Sequence, residues 1–205
     1  MNYINILLAV FYLLTACQKT VPVAETKERA KPGNAEEVVL QPFVGFPEEF
    51  SEKLLVDIRK VFPRITLNKP IFLPDKVFRS DSSIYKADSL IAFLERKSTG
   101  TNVIIGLTDK NIGIGKYRIK QIMGLADMPG YSCVTSTYML SQKNTYSQLY
   151  KLTLHELAHT QGVRHCRKDT TCYMSSANGD NPWDVETGFC RNCKEYLKRK
   201  GWQLD

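Results

Sequence analysis

The chain has 205 residues, of which 43% are hydrophobic and 24% charged, and its 28 basic and 21 acidic residues give a formal net charge of +7. Ordinary contents of glycine and proline exclude collagen-like and low-complexity proteins, and ten Tyr, nine Phe and two Trp residues are enough to form a hydrophobic core. The positive excess is too small to indicate nucleic-acid binding, and we expect none.

Residues 1–16 predict a signal peptide, because an uncharged apolar run ends in small residues just before Cys17. The run is too short to span a bilayer comfortably. The segment LTAC at residues 14–17 resembles the lipobox of bacterial lipoproteins. That resemblance implies cleavage before Cys17, acylation of the cysteine and attachment to a membrane of the cell envelope. An ordinary secretory signal and a short anchor helix are the alternatives.

A flexible tether is predicted for residues 17–45, which mix Lys, Glu, Thr, Ala and Pro with few large apolar side chains. Residues 46–205 then form a single domain of about 160 residues, a common domain size. We expect this domain to be a monomer.

Within the domain, hydrophobic periodicity and β-branched runs predict alternating helices and strands. In chain order these are a helix over Pro47–Phe62, a helix over Ser83–Lys97, a strand over Asn102–Asp109, a turn at Gly113–Gly115, a strand over Cys133–Leu140 and a helix over Tyr146–Gln161. Together with short extended segments before the second helix, this order indicates an α+β fold with helices packed on a mixed sheet.

The last predicted helix carries all three histidines of the chain in or just beyond it, in the segment HELAHTQGVRH at residues 155–165. Four helical residues turn through about 400°, so His155 and His159 project from one face and can bind one metal ion. Gly162 can take a left-handed backbone conformation that ends the helix and lets His165 return as a third ligand. Three neutral nitrogens leave the fourth position of Zn²⁺ open for water, as in catalytic zinc sites.

Glu156 follows the first histidine, where it can reach a metal-bound water without binding the metal itself. Zinc lowers the pKa of such a water towards 7, and Glu156 can take its proton during attack on a carbonyl group and later protonate the leaving amine. The pattern therefore predicts a zinc-dependent peptidase. The alternatives are an amidase or esterase acting on another bond, a helix with surface histidines, and a catalytically inactive, zinc-stabilised binding module of the cell envelope.

The histidine segment is similar to the motif HExxHxxGxxH of the metzincin metallopeptidases, and the cysteines after it narrow the similarity. Cys166 follows the third histidine, Cys172-Tyr173-Met174 lies six residues further, and Cys190-Arg-Asn-Cys193 completes the pattern. This arrangement resembles the archaemetzincins. The resemblance implies a catalytic zinc ion on the three histidines, the glutamate as general base, Met174 as the Met-turn, and a second, structural zinc ion on the four cysteines.

The resemblance covers about residues 47–200 and implies a metzincin-like (zincin) fold with a mostly parallel sheet. In that fold Cys133–Leu140 would be the antiparallel edge strand that borders the cleft. A peptide or protein substrate would add to this edge as a further strand.

Residue types alone leave the chemistry of the four cysteines open. They can close a tetrahedral zinc site, or they can form two disulfides after export. Cys133 remains outside this set, and we expect a small buried residue. The basic segment Lys194–Lys200 is expected to be the solvated face of a helix, with contact to anionic lipid or acidic substrate as the alternative.

Overall fold

The computed structural model describes residues 31–115, 120–176 and 180–205. The predicted signal peptide and Cys17, the predicted acylation site, lie outside these residues. Within the described ranges, no helix is both long enough and apolar enough to cross a membrane. The same ranges form two β-sheets with helices packed on the larger one, which confirms the predicted α+β class.

The described residues form nine strands, four α-helices and one 3-10 turn. In chain order they are β1 (Glu37–Pro42), α1 (Glu48–Arg59), β2 (Ile65–Leu67), the 3-10 turn (Asp75–Val77), β3 (Phe78–Arg79), β4 (Ile84–Lys86), α2 (Ala87–Glu95), β5 (Asn102–Thr108), β6 (Ile112–Ile114), β7 (Lys120–Ile122), β8 (Gly124–Ala126), β9 (Ser132–Ser136), α3 (Thr145–Thr160) and α4 (Arg191–Arg199). Strands β3, β4, β6 and β7 make the smaller sheet.

The larger sheet has the strand order β2-β1-β5-β9-β8. Four strands run parallel, and β8 alone runs antiparallel to its neighbour β9. The predicted mostly parallel sheet with one antiparallel edge strand is therefore confirmed, but Cys133–Leu140 was the wrong segment for that edge. The strand in that region is β9, which lies between β5 and β8 with all five residues buried. Val134 and Thr135 are typical strand residues and made β9 predictable, whereas three-residue β8 leaves no such pattern, so the sequence did not reveal which strand lies at the edge.

Ordered structure begins before residue 46, the predicted start of the domain. Strand β1 lies within residues 17–45, which we expected to be a tether, and it pairs in parallel with β2 on one side and β5 on the other. Val38 and Leu40 of this strand are fully buried. The composition of the segment did not reveal the strand, because its stability comes from two neighbours that are distant in sequence.

Two further boundaries differ from prediction for the same reason. Helix α2 begins four residues later than expected, because Ile84–Lys86 forms strand β4 and pairs with β3 and β6. Gly113 lies inside strand β6 opposite Gln121 of β7, where we predicted a turn. Pairing between short strands, which local sequence does not encode, decides both boundaries.

The hydrophobic core covers both faces of the larger sheet. Helices α1, α3 and α4 contribute to the core on one face, and α2 contributes to the core on the other. Helix α3 packs against β8 and β9, so the residues that it presents to this edge can form a site at the rim of the sheet.

Two minor predictions are confirmed by side-chain burial. Cys133 is fully buried in β9, as expected for a small core residue. Helix α4 buries Cys193 and Leu197, whereas Lys198 and Arg199 are exposed, as expected for a solvated basic face.

Candidate active site

Helix α3 and the turn after it bring the three histidines together, as the spacing predicted. Gly162 has a φ angle of +91°, so it takes the left-handed conformation expected at the end of the helix. One ring nitrogen from each of His155, His159 and His165 lies within 4.8 Å of the others. The first two rings are buried and the third is exposed, so the cluster opens on one side.

The two helical histidines face each other through their Nε2 atoms, which are 2.9 Å apart. On the far side of each ring, Nδ1 of His155 lies 2.5 Å from the carbonyl oxygen of Tyr173, and Nδ1 of His159 lies 2.6 Å from that of Val163. A carbonyl oxygen only accepts hydrogen bonds, so we assign the hydrogen of each ring to Nδ1 and a lone pair to each Nε2. Two facing lone pairs repel each other unless a cation lies between them, and the donor set therefore fits a metal ion.

The surroundings keep the imidazoles neutral. Burial, with the neighbouring histidines adding to it, lowers the pKa of His155 to about 3. Burial also lowers the pKa of His159 to about 4 and the pKa of His165 below its ordinary value. Neutral imidazole is the form that binds a metal ion, so the three rings are ready to bind at physiological pH.

Glu156 borders the same cavity, of about 270 Å³, as His155 and His165. Its side chain is only 5% exposed, and burial raises the pKa of its carboxyl group to about 8. The other residues that line the cavity are both polar and apolar: Lys120, Gln121, Ile122, Met123, Gly124, Met139, Leu152, Ser176 and Trp183. The cavity therefore places a carboxyl group that can exchange a proton near pH 7 beside a potential metal site.

Sequence reasoning missed the residues that hold the first histidine from the side. The Trp183 ring meets the His155 ring edge-on with 5.4 Å between centroids, and its indole N–H donates to Sδ of Met123 at 3.2 Å. Lys151 donates to the carbonyl oxygens of Trp183 at 2.5 Å and Glu186 at 2.6 Å. Lys151 is one helical turn before His155, which is the one sequence signal that could have indicated it.

The four cysteines also meet, as the resemblance implied. Their Sγ atoms all lie within 4.8 Å of one another, with 3.8 Å between Cys166 and Cys190, and none of the cysteines in the described residues is in a disulfide. The amides of Met174 and Cys190 donate to Sγ of Cys172 at 3.4 and 3.3 Å. A hydrogen bond from Cys193, together with these amides, lowers the pKa of Cys172 to about 5. A thiolate among four converging sulfur atoms fits a zinc ion.

One turn of the chain belongs to both clusters. Met174 is fully buried, and its carbonyl oxygen accepts a hydrogen bond from the amide of Cys166 at 2.7 Å. Tyr173, which orients His155, lies between Met174 and Cys172 in the chain. The position of the first histidine therefore depends on a backbone segment that the cysteine cluster holds.

Two archaemetzincins are similar to this chain in sequence. The archaemetzincin of Haloquadratum walsbyi is 27% identical over 179 residues, which cover 78% of this chain and 98% of that protein. The archaemetzincin of Methanopyrus kandleri is 28% identical over 131 residues, which cover 62% and 73%.

Solved structures show the same fold. The structure of the Archaeoglobus fulgidus archaemetzincin in complex with malonate matches 78% of this chain and 99% of that chain, with a TM-score of 0.67 and 22% identity. The Methanopyrus kandleri structure matches 82% and 96%, with a TM-score of 0.69 and 23% identity. The sequence profile of peptidase family M54 matches residues 75–199, which is more than half of the chain. The protein therefore belongs to peptidase family M54, the archaemetzincins, and is a zinc metallopeptidase.

Proposed function

We propose that the protein hydrolyses peptide bonds at the histidine cluster, with Glu156 as the proton acceptor. One observation carries the proposal: the Nε2 atoms of His155 and His159 lie 2.9 Å apart, and we assign a lone pair to each. The buried carboxyl group of Glu156 borders the same cavity as the histidine cluster. In such a site His155, His159 and His165 would hold the zinc ion.

The zinc ion, when bound, supplies a Lewis acid that polarises a carbonyl group and lowers the pKa of water. The remaining chemistry falls to Glu156, whose carboxyl group would accept a proton from the attacking water and return it to the leaving amine. Burial raises the pKa of Glu156 to about 8, which favours the protonated form that the group takes between the two transfers. The positive charge of a bound zinc ion would favour the carboxylate form that accepts the proton. The carbonyl oxygens behind His155 and His159 keep both rings in place during this exchange.

The substrate would bind as an additional strand along β8. In the described part of the chain β8 is the last strand of the larger sheet on this side, and Gly124 of this strand borders the cavity. Backbone hydrogen bonds to an edge strand bind a peptide of any sequence, and pockets then select side chains. Met139, Leu152 and Trp183 make an apolar wall that would favour an apolar side chain next to the scissile bond.

We propose a second, structural zinc ion on the four cysteines. Tetrahedral zinc with Zn–S bonds of about 2.3 Å separates its sulfur ligands by about 3.8 Å. The distance between Cys166 and Cys190 is 3.8 Å, whereas a disulfide needs about 2 Å. Metal analysis of the purified protein, with thiol counting under non-reducing conditions, should give two zinc ions per chain. One zinc ion together with oxidised cysteines would support the disulfide alternative.

We propose that the mature protein is anchored to the cell envelope through acylated Cys17. Support comes from the lipobox-like segment LTAC after an uncharged apolar run. Labelled fatty acid should enter the wild-type protein but not the Cys17→Ala variant. Equal labelling of the two proteins, or a mature N terminus upstream of Cys17, would refute the anchor.

The test of the peptidase proposal uses the chain without its predicted signal peptide, as wild type and as the Glu156→Gln variant. Both proteins are incubated with a peptide library, and their cleavage products are compared. The variant loses the proton acceptor but no metal ligand, so hydrolysis should fall by about 100-fold or more while zinc content stays at the wild-type level. Full activity in Glu156→Gln would show that the mechanism is wrong. If the wild type holds zinc and cleaves no peptide, the protein is a binding module.

A further inference from the structure

Gly124, the first residue of the edge strand β8, lies directly against the carboxyl group of Glu156. A Cβ atom at this position would lie 2.4 Å from Oε1 of Glu156 and 2.8 Å from its Cδ and Cγ atoms. Separations this short are well inside van der Waals contact. The space that a side chain at residue 124 would need is therefore the space in which the carboxyl group lies.

The backbone offers no other reason for a glycine at this position. Six glycines in the described ranges have positive φ angles, at which L-residues are strained, and Gly124 is not among them. It pairs with Thr135 in the antiparallel register of β8 and β9, a conformation that any residue adopts. A larger residue would therefore meet the glutamate without straining the backbone.

We propose that Gly124 is a positioning residue for peptide hydrolysis, because the bare Cα atom of the edge strand determines where the Glu156 carboxyl group lies. This inference rests on the proposed role of Glu156 as proton acceptor. It assigns β8 a second role beside substrate binding, since the same short strand would pair with the substrate and set the position of the acceptor.

A methyl group at residue 124 would move the carboxyl group and spare the fold. The atoms that must move are Cγ, Cδ and Oε1 of one side chain, and that side chain borders a cavity of about 270 Å³ into which it can turn. The contacts that orient His155 and His159 come from Tyr173 and Val163, which are on other segments and would stay in place. The variant should therefore keep its zinc and its stability but misplace its proton acceptor.

The test is the Gly124→Ala variant of the chain without its predicted signal peptide, with Gly188→Ala as the matched control. A Cβ atom at Gly188 meets nothing within 4 Å, and its φ angle is not positive. Because a misplacement of about 1 Å can cost about 100-fold in rate, we expect kcat of Gly124→Ala to fall about 10- to 100-fold. KM, zinc content and melting temperature should stay at the wild-type values, and the control should match the wild type throughout.

A double-mutant cycle with Glu156→Ala separates positioning from a general effect on the strand. Alanine lacks the Cγ, Cδ and Oε1 atoms that a methyl group at residue 124 would meet, so no side chain is left to be displaced. In the slower Glu156→Ala background, Gly124→Ala should therefore lower the residual kcat by a factor close to 1.

Three results would overturn the positioning role. They are a wild-type kcat in Gly124→Ala, an equal loss of kcat in both backgrounds, and a loss that lies in KM instead of kcat. If Glu156→Gln is inactive while Gly124→Ala is fully active, only this inference fails. If Glu156→Gln is itself fully active, the proposed function fails first.

Discussion

The histidine cluster and the cysteine cluster share the turn at residues 172–174, but they differ in how completely they surround a candidate ion. Four sulfur atoms from three chain segments converge in the cysteine cluster. The histidine cluster has three nitrogen donors, and its open side faces a cavity of about 270 Å³ bordered by Glu156. One turn of backbone therefore supports two clusters. The four sulfur donors can surround an ion completely, whereas the three nitrogen donors leave one side of it open.

This difference shows what keeps the ligands of an open metal site in position. A closed four-ligand site holds its own ligands, whereas a three-ligand site needs other groups to orient them. For His155 that support is the carbonyl oxygen of Tyr173, whose neighbours in the chain contact the cysteine cluster. The closed cluster thus acts as the scaffold of the open one.

The largest expected effect on stability comes from breaking the closed cluster with Cys190→Ser. A structural zinc ion contributes about 10 kcal/mol or more of binding energy, so its release should lower the free energy of unfolding by at least about 3 kcal/mol. Activity should fall as well, because the Tyr173 carbonyl that orients His155 loses its support. Zinc content, thermal unfolding and peptide hydrolysis measure the three effects.

The scaffold idea fails if Cys190→Ser loses its structural zinc and its stability but hydrolyses peptide at the wild-type rate below its melting temperature. A variant that keeps both zinc ions and full stability would instead show that the four cysteines are not a zinc site. Glu156→Gln serves as the opposite case, since it should lose activity with both zinc ions in place.

An intermediate effect is expected from Lys151→Met, which removes the second support of the open cluster. Its ammonium group donates to the carbonyl oxygens of Trp183 and Glu186, and Trp183 packs against His155. A hydrogen bond from a charged group contributes about 1.5–3 kcal/mol. Because both bonds come from one ammonium group and Lys151 is only half-buried, losing them together should lower the free energy of unfolding by about 2 kcal/mol.

Peptide hydrolysis by Lys151→Met should fall about 10-fold, because Trp183 no longer holds the His155 ring. The zinc ion proposed on the four cysteines should remain, since Lys151 is not one of its proposed ligands. Lys143→Met is the matched control, because that lysine is exposed and lies just before the same helix. Equal losses in both variants would mean that the effect comes from the lost charge and not from the support of Trp183.

The smallest effect is expected from Asp57→Asn, in a region outside both clusters. Asp57 of α1 receives hydrogen bonds from Tyr146 of α3, Lys53 and Lys60, each at 2.7 Å. The hydrogen bonds from Lys53, Lys60 and Tyr146 lower the pKa of Asp57 below its ordinary value. Both lysines are more than half exposed, so Asp57→Asn should cost only about 1 kcal/mol at neutral pH, with zinc content and activity unchanged.

The sign of the pH dependence follows from the lowered pKa. A carboxyl group with a lowered pKa in the folded state stabilises the protein above its unfolded pKa of about 4, and this contribution is lost as the pH falls. The difference in stability between wild type and Asp57→Asn should therefore be full at pH 7 and shrink below about pH 4. Chemical denaturation at a series of pH values measures it, and a constant difference would contradict the assignment.

Much of the site could be predicted because its geometry is local. The positions of His155 and His159 follow from the pitch of one helix, and the return of His165 follows from the left-handed conformation that Gly162 allows. The supporting residues could not be predicted in this way. Trp183 reaches His155 through a loop held by Lys151, and no periodicity in the chain records that contact.

The sequence by itself determined the α+β class and the three histidines that meet in one cluster, because periodicity and spacing within a helix dictate them. The family and the four cysteines of the other cluster were implied by the resemblance to the archaemetzincins. Only the tertiary structure decided that β8 is the edge strand, that residues predicted to be a tether form strand β1, and that Gly124 lies against Glu156. The physical reason is that strand pairing and side-chain contact join residues far apart in the chain. Their free energy depends on partners that local composition and periodicity do not specify.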